Sequence, residues 1–510
     1  MSVSDSLLPG GRLANVTEAA SERFDWGLSL GRALATRGAW ESEIWAALCR
    51  AWLKGVSSDE QRSSVLALLL EHPRLDRLAD GVADLLVHWW WADKAADPSP
   101  ALLAQGENIA DRIWQACSSE SCLADKPVNG WLHETINHPG GRVVQFWLYA
   151  LSVLRKHAGD NWSGSIPEPY RDRLSGVVTG TCRAAQLGRV VIGSQVRFVF
   201  ALDPDWAIEN VLPLLDFAID VKRARSAWDG FLSWGSWDEG ILPELLPLYE
   251  RSFPYLLGAD QGKRNWLCEH LANIAVFASI NPLDNGWLDK FVIQAGDEVR
   301  ATWAACVRQS LESLSDDKVA GLWGRWLARY WDRRNHGYPK PLDKAEVRAM
   351  VEWLPHLQVV FTAAVTEALK SPAPKYDYTS LYSGLLKRNV QERSPTELMQ
   401  LLLHLMPTIP PGFSLFCDDL EKLVRGIPPS SIPPEVYKRV CDELGRIGCV
   451  NAAAIFALSE SAKTTAGTAV SDEGPSDVFE LISHLRVGNR SRSDIDNQIR
   501  KERESWERYK

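Results

Sequence analysis

Helix-start signals recur along this chain while strand signals are almost missing, and that contrast limits the open folds more than any other feature. Ser394-Pro395-Thr396-Glu397 places Ser at an N-cap, Pro at the first helical position and Glu where it can reach back to the cap. Leu398, Leu401, Leu402 and Leu405 follow on one helical face, and Pro407 closes the segment. Ser57 with Glu60 opens a second helix that buries Val65, Leu66, Leu68 and Leu69. Pro434-Glu435 opens a third carrying Val436, Val440 and Leu444, with Gly445 as its expected C-cap. The best strand candidate, Val196 to Leu202, does not alternate and runs into Asp203-Pro204, a cap followed by a new helix start, so it is read as a buried helix end. The expected fold is all-α: an irregular α-solenoid, or multi-helix array of short capped helices. Trp234-Gly235-Ser236-Trp237 and Trp323-Gly324-Arg325-Trp326 share a spacing, but their flanks differ and no fixed repeat period emerges.

A chain of 510 residues has room for about three domains or one long array. The reading divides it into an N-terminal helical region (1–125), a helical core (126–458), a flexible linker (459–477) and a charged tail (478–510) with a short docking helix from Val478 to Leu485. From Arg486 to Lys510 eight Lys or Arg face five acids, which suits a solvated helix or a contact with an acidic partner. The whole chain carries a formal charge of −9, so no global basic field favours nucleic acid or an anionic membrane. Nine cysteines, none in a CxxC pair, suggest reduced, buried thiols. The first residues resemble no signal peptide, and the apolar run Val82 to Ala92 is broken by Asp84 and His88, short of the roughly 20 residues a spanning helix needs. A cytoplasmic location is expected.

Tryptophan is the compositional anomaly, with 23 Trp against 14 Phe and 11 Tyr. Trp89-Trp90-Trp91 cannot all face one way, because successive helical residues turn by about 100°. At least one ring is expected in a partner surface or a helix junction. Trp228, Trp234 and Trp237 lie among Asp203, Asp205, Asp216, Asp229 and Asp238, a mixture that suits either a ligand site or core packing. The six expected partner-binding residues are Trp89, Trp90, Trp91, Trp228, Trp234 and Trp237. Arg333, in Tyr330-Trp331-Asp332-Arg333-Arg334-Asn335-His336-Gly337-Tyr338-Pro339, suits a stack on an aromatic ring or a clamp on a phosphate. His133 and His138 are five residues apart, about 140° around a helix, and do not face one metal. They are expected to bond a turn, with Asn137 capping the helix of Phe146, Trp147 and Leu151. No phosphate-binding loop, nucleophile elbow or dinucleotide fingerprint occurs, so neither cofactor nor metal is expected.

Several strings together resemble a known family: His133-Glu134-Thr135-Ile136-Asn137-His138-Pro139-Gly140-Gly141, Phe146-Trp147-Leu148, Trp162-Ser163-Gly164-Ser165-Ile166-Pro167, Leu202-Asp203-Pro204-Asp205-Trp206-Ala207 and Ala227-Trp228-Asp229-Gly230-Phe231-Leu232-Ser233-Trp234. They look like the large helical region of unknown function that follows sirtuin-type NADase domains in bacterial anti-phage defence proteins. Trp326-Leu327-Ala328-Arg329-Tyr330-Trp331 through Trp353-Leu354-Pro355 continues the likeness, which runs from Trp131 to Leu369. The resemblance implies a sensor or scaffold that recognises a phage protein or controls a separate defence effector, with a homo-oligomer also possible. The sirtuin motifs themselves are absent, so no NADase residue carries over; the effector is a separate protein or a part removed from a longer chain. The alternatives are a hydrolase or nuclease built on Asp203, Asp205, Asp229 and Arg333, and, more weakly, a nucleic-acid-binding helical protein.

Overall fold

The computed structural model describes residues 9–56, 58–91, 98–122, 130–374, 380–452, 454–455 and 457. Among them the chain is all-α. Helices joined by short turns and 3-10 segments account for the order, and the sole β-type pairing is an isolated bridge between Ser121 and Cys182. One row of helices runs through the molecule, each packed on the next: Pro9–Glu22, Ser42–Gly55, Ala79–Trp91, Pro139–Ala158, Arg183–Ser194, Val221–Trp234, Gln261–Phe277, Asp297–Glu312 and Lys344–Val351. Beside it, Asp59–Leu70 packs on Pro100–Cys117, Leu242–Leu256 on Trp287–Gln294, and Ala328–Asn335, Phe361–Lys370, Pro395–Leu405 and Pro434–Ile447 follow in succession. From Arg197 onward, hydrogen bonds between side chains and other elements span no more than 50 residues among the described residues. The longest link lies earlier, from the Leu132 N–H to Asp229, 97 residues on.

Most tryptophans close helix crossings. Trp45, Trp52, Trp147, Trp228, Trp287, Trp303, Trp326, Trp331 and Trp353 are fully buried in one extended core. Several indoles also donate to backbone on another element, as Trp89 Nε1 does to the Trp52 carbonyl (3.2 Å), Trp162 to Leu202 (2.9 Å) and Trp353 to Ala304 (2.7 Å). For these rings packing and satisfaction of the one donor occur together, whereas the buried indole N–H groups of Trp52, Trp147, Trp287, Trp303 and Trp326 have no hydrogen-bond partner among the described residues.

Val196–Leu202 is a helix with Val196, Val199 and Leu202 buried, and Asp203 caps the next turn by accepting the Trp206 N–H. Other caps differ from their expected positions. The box that opens Asp59–Leu70 pairs Ser58 with Gln61; Ser57 lies outside the described residues. At Pro395–Leu405 the helix is present but Ser394 makes no side-chain cap; its own N–H bonds the Val390 carbonyl (2.9 Å), and Glu397 accepts from Thr362 (3.1 Å) instead of turning back. His138 takes the capping place expected of Asn137: its Nδ1 accepts the Gly140 N–H (3.0 Å), while Asn137 Nδ2 donates back to the His133 carbonyl (2.8 Å). The helix Pro434–Ile447 runs past Gly445 to bury Ile447, and Gly448 ends it in the left-handed region at φ 101°, where glycine is at ease.

The cysteines bring a correction. Seven are free, but Cys417 and Cys449 form a disulfide, because the turn at Gly448 returns the chain to the start of the helix Cys417–Arg425. Among the described residues no helix is long and apolar enough to cross a membrane. The linker at 459–477 and the tail at 478–510, with its docking helix, lie outside the described residues.

Candidate functional site

The proposed carboxylates occupy separate places. Asp203 is buried and accepts from the Ile166 N–H (3.0 Å), the Trp206 N–H (3.1 Å) and Arg171 Nη2 (2.6 Å). Burial pushes its carboxyl up, but these donors outweigh that and hold it below the ordinary carboxylate range. Asp205 is exposed on the following turn. Asp229, buried in Val221–Trp234, pairs with Lys263 and accepts the Leu132 N–H (3.3 Å), so it fastens the short helix Trp131–Ile136 and the helix Gln261–Phe277 to its own. Arg333 pairs with Asp289 (2.6 Å) and lies over the Tyr338 ring, 4.4 Å from its centroid. Asp203, Asp229 and Arg333 therefore have three unconnected sets of partners, each joining structural elements.

The tryptophans divide in the same way. Trp228 is buried and donates to the Leu215 carbonyl (2.7 Å), and Trp89 is buried against Trp52, so neither ring is open to a partner. Trp237 is partly buried against the core. Trp234, at the end of its helix, is 51% exposed. The side chains of Trp90 and Trp91 lie outside the described residues. His133 and His138 are not brought together on a metal: His138 Nε2 meets Glu120 (3.1 Å), and no metal-holding cluster occurs among the described residues.

The most concentrated chemistry was not singled out from the sequence. Glu346, wholly buried in Lys344–Val351, receives Arg300 Nε (2.8 Å), Arg334 Nε (2.7 Å), Arg334 Nη2 (2.8 Å) and the Tyr330 hydroxyl (3.0 Å). Arg300 also pairs with Asp297 and donates to the Ala295 carbonyl (2.7 Å). Arg334 reaches the carbonyls of Tyr338 (3.0 Å) and Lys340 (2.5 Å), which fixes the loop after its helix. Burial followed by the Glu346 charge pushes the Tyr330 phenol well above its ordinary value, so it remains a donor. Burial opposes the Arg334 charge, but its bonds to Glu346 outweigh this and raise its pKa. With every arm of the carboxylate taken by a protein donor, the cluster is built as an internal junction. Two arginines 12 and 46 residues from their common acid leave no local signal to find.

One family model matches, a domain of unknown function (DUF4020), over residues 278–439. That segment contains Asp297, Arg300, Tyr330, Arg334 and Glu346, and so holds the whole buried junction. It overlaps the later strings of the resemblance described above, at Trp326–Trp331 and Trp353–Pro355, while those from His133 to Trp234 precede it. No curated protein and no solved structure matches the chain.

Proposed function

We propose that this protein is a cytoplasmic helical scaffold or sensor of bacterial anti-phage defence, a stacked array that recognises a phage protein or holds a separate effector. The observation that carries the reading is the engagement of Asp203, Asp229 and Arg333 in joining helices, while Trp234 presents a large ring to solvent. Aromatic rings of this kind are favoured anchors for a protein partner. The resemblance of the His133 to Trp234 strings to the helical region that accompanies sirtuin-type NADases supports the defence role.

The test is capture of the tagged full chain from infected and uninfected cells, with bound proteins identified by mass spectrometry and phage plating measured in parallel. A phage protein or host effector should be enriched by the wild-type chain, and Trp234→Ser should reduce both capture and protection. Full protection with neither class of protein bound would sink the reading. Loss of protection in Asp229→Asn, with folding and capture intact, would favour a hydrolytic role instead.

A further inference from the structure

We propose that Cys417–Cys449 is a reducible clasp, opened by small-molecule thiols, that sets whether the last described helices are locked together.

The argument begins with where the two sulfurs sit. Cys417 is the first residue of Cys417–Arg425, and Cys449 follows the glycine turn that ends Pro434–Ile447. The bond closes a loop of sequence separation 32 that contains both helices. A second fastening runs alongside: Glu421 accepts the Asn451 N–H (3.1 Å) and its Nδ2 (2.6 Å). The chain after Gly448 is thus held to one helix by a covalent tie and by a hydrogen-bonded pair. Only the first can be released by electron transfer.

Five of the seven free cysteines are poorly suited to exchange with this bond from inside the fold. Burial pushes the Cys49 and Cys117 thiols up to about 12, and those of Cys306 and Cys441 to about 11. Cys268 is also raised by burial. A thiol kept protonated is a weak nucleophile, so these five do not compete with a thiolate from solution. Val450, next to Cys449, is 91% exposed, and Leu415, two residues before Cys417, is exposed as well, which leaves the flanks of the buried sulfurs open to a small reagent.

The chemistry balances with a monothiol of the glutathione class as reductant. Its thiolate attacks one sulfur, forms a mixed disulfide and expels the other cysteine as a thiolate, which takes a proton. A second thiolate then attacks the mixed disulfide, leaving two protein thiols and one oxidised reductant, with two electrons transferred. Reduction leaves the Glu421–Asn451 pair as the remaining fastening of the two, and the segment around Cys449 opens more often.

The test uses the full-length chain equilibrated in buffers of graded reduced-to-oxidised glutathione ratio, then denatured, alkylated and weighed. Seven labelled cysteines are expected under oxidising conditions and nine under reducing conditions, from nine cysteines of which two are bonded. Hydrogen exchange should accelerate roughly tenfold on reduction in Cys417–Arg425 and around Cys449, and the double variant Cys417→Ser/Cys449→Ser should exchange at the fast rate in every buffer. Nine labels in the oxidising buffer would overturn the proposal. So would seven labels persisting in excess reduced glutathione, or exchange that does not change when the bond opens.

Discussion

The core around Trp52 and the core around Glu346 are both lined with tryptophan, yet they are closed by opposite means. At the first, Trp45, Trp52, Trp89 and Trp147 pack at the crossings of Ser42–Gly55, Ala79–Trp91 and Pro139–Ala158, where Trp89 makes a single bond to the Trp52 carbonyl and ion pairs such as those from Arg173 to Asp111 and Glu107 are part-buried at the edge over Trp147. At the second, Trp303, Trp326 and Trp353 pack on Tyr330, which joins two arginines on one carboxylate. Apolar junctions lose the transfer free energy of what is removed plus a term for the cavity that neighbours only partly fill. A buried ion triad behaves differently: removing one member strands the charge of the others, although an apolar replacement of the whole set is often tolerated. Two regions of similar composition should therefore differ sharply in their tolerance of a single change.

The largest expected effect is Glu346→Ala. It leaves two buried guanidiniums and the Tyr330 hydroxyl without their acceptor, and should cost about 3–5 kcal/mol, read as a fall in the unfolding midpoint. A cost under about 1 kcal/mol would place the junction with the apolar core and erase the distinction.

Next in size are Trp89→Phe and Trp147→Phe. Both shrink a buried ring, but Trp89 also gives up its bond to Trp52, whereas the Trp147 N–H has no hydrogen-bond partner in the fold. Trp89→Phe is expected to cost about 1 kcal/mol more than Trp147→Phe in denaturant titration. Equal losses would show that packing alone holds this region.

The smallest effect is an acid response on the Trp52 side, of the same kind that part-buried His270 and His356 give the helices nearer Glu346. His72 lies edge-on to Trp40 and Trp45 and accepts the Arg74 N–H through Nδ1. Burial, followed by the nearby Arg112 charge, lowers its pKa. The unfolded chain therefore binds this proton first, and the stability held by neutral His72 is full above its ordinary pKa and is lost as pH falls toward the lowered one. Hydrogen exchange should rise in Ser42–Gly55 and Asp59–Leu70 as pH falls toward that lowered value, and His72→Gln should remove the rise.

The all-α fold was legible because helix starts are written locally. An Asp at 203 and a Pro at 204 sit within three residues of the N–H they serve, and the helices opened by Ser58, Pro395 and Pro434 follow their signals to within a residue. Helix ends were much less legible, because arginines from other elements hold them. Arg112 donates to the Leu70 and His72 carbonyls, 42 and 40 residues away, Arg325 to the Ala278 carbonyl at 47, and Arg446 to Ile409 and Met406 at 37 and 40. Composition cannot say which arginine will do this. The same limit explains Asp229: beside Trp228 it has the look of a ligand group, and only the fold brings Lys263 to it.

That aspartate also bears on the order in which the protein is made. Loop closure grows more costly with the length of chain enclosed, and links of modest span can form soon after their residues leave the ribosome. The contact from Leu132 to Asp229 encloses 97 residues, and the charge that balances Asp229 arrives only with Lys263. The segment from Leu132 to Asp229 can assemble its own helices first, but the Lys263 charge arrives only after Leu242–Leu256, with the start of Gln261–Phe277. Asp229 therefore joins an early-made part of the chain to a later one, and its burial is completed only when both are present.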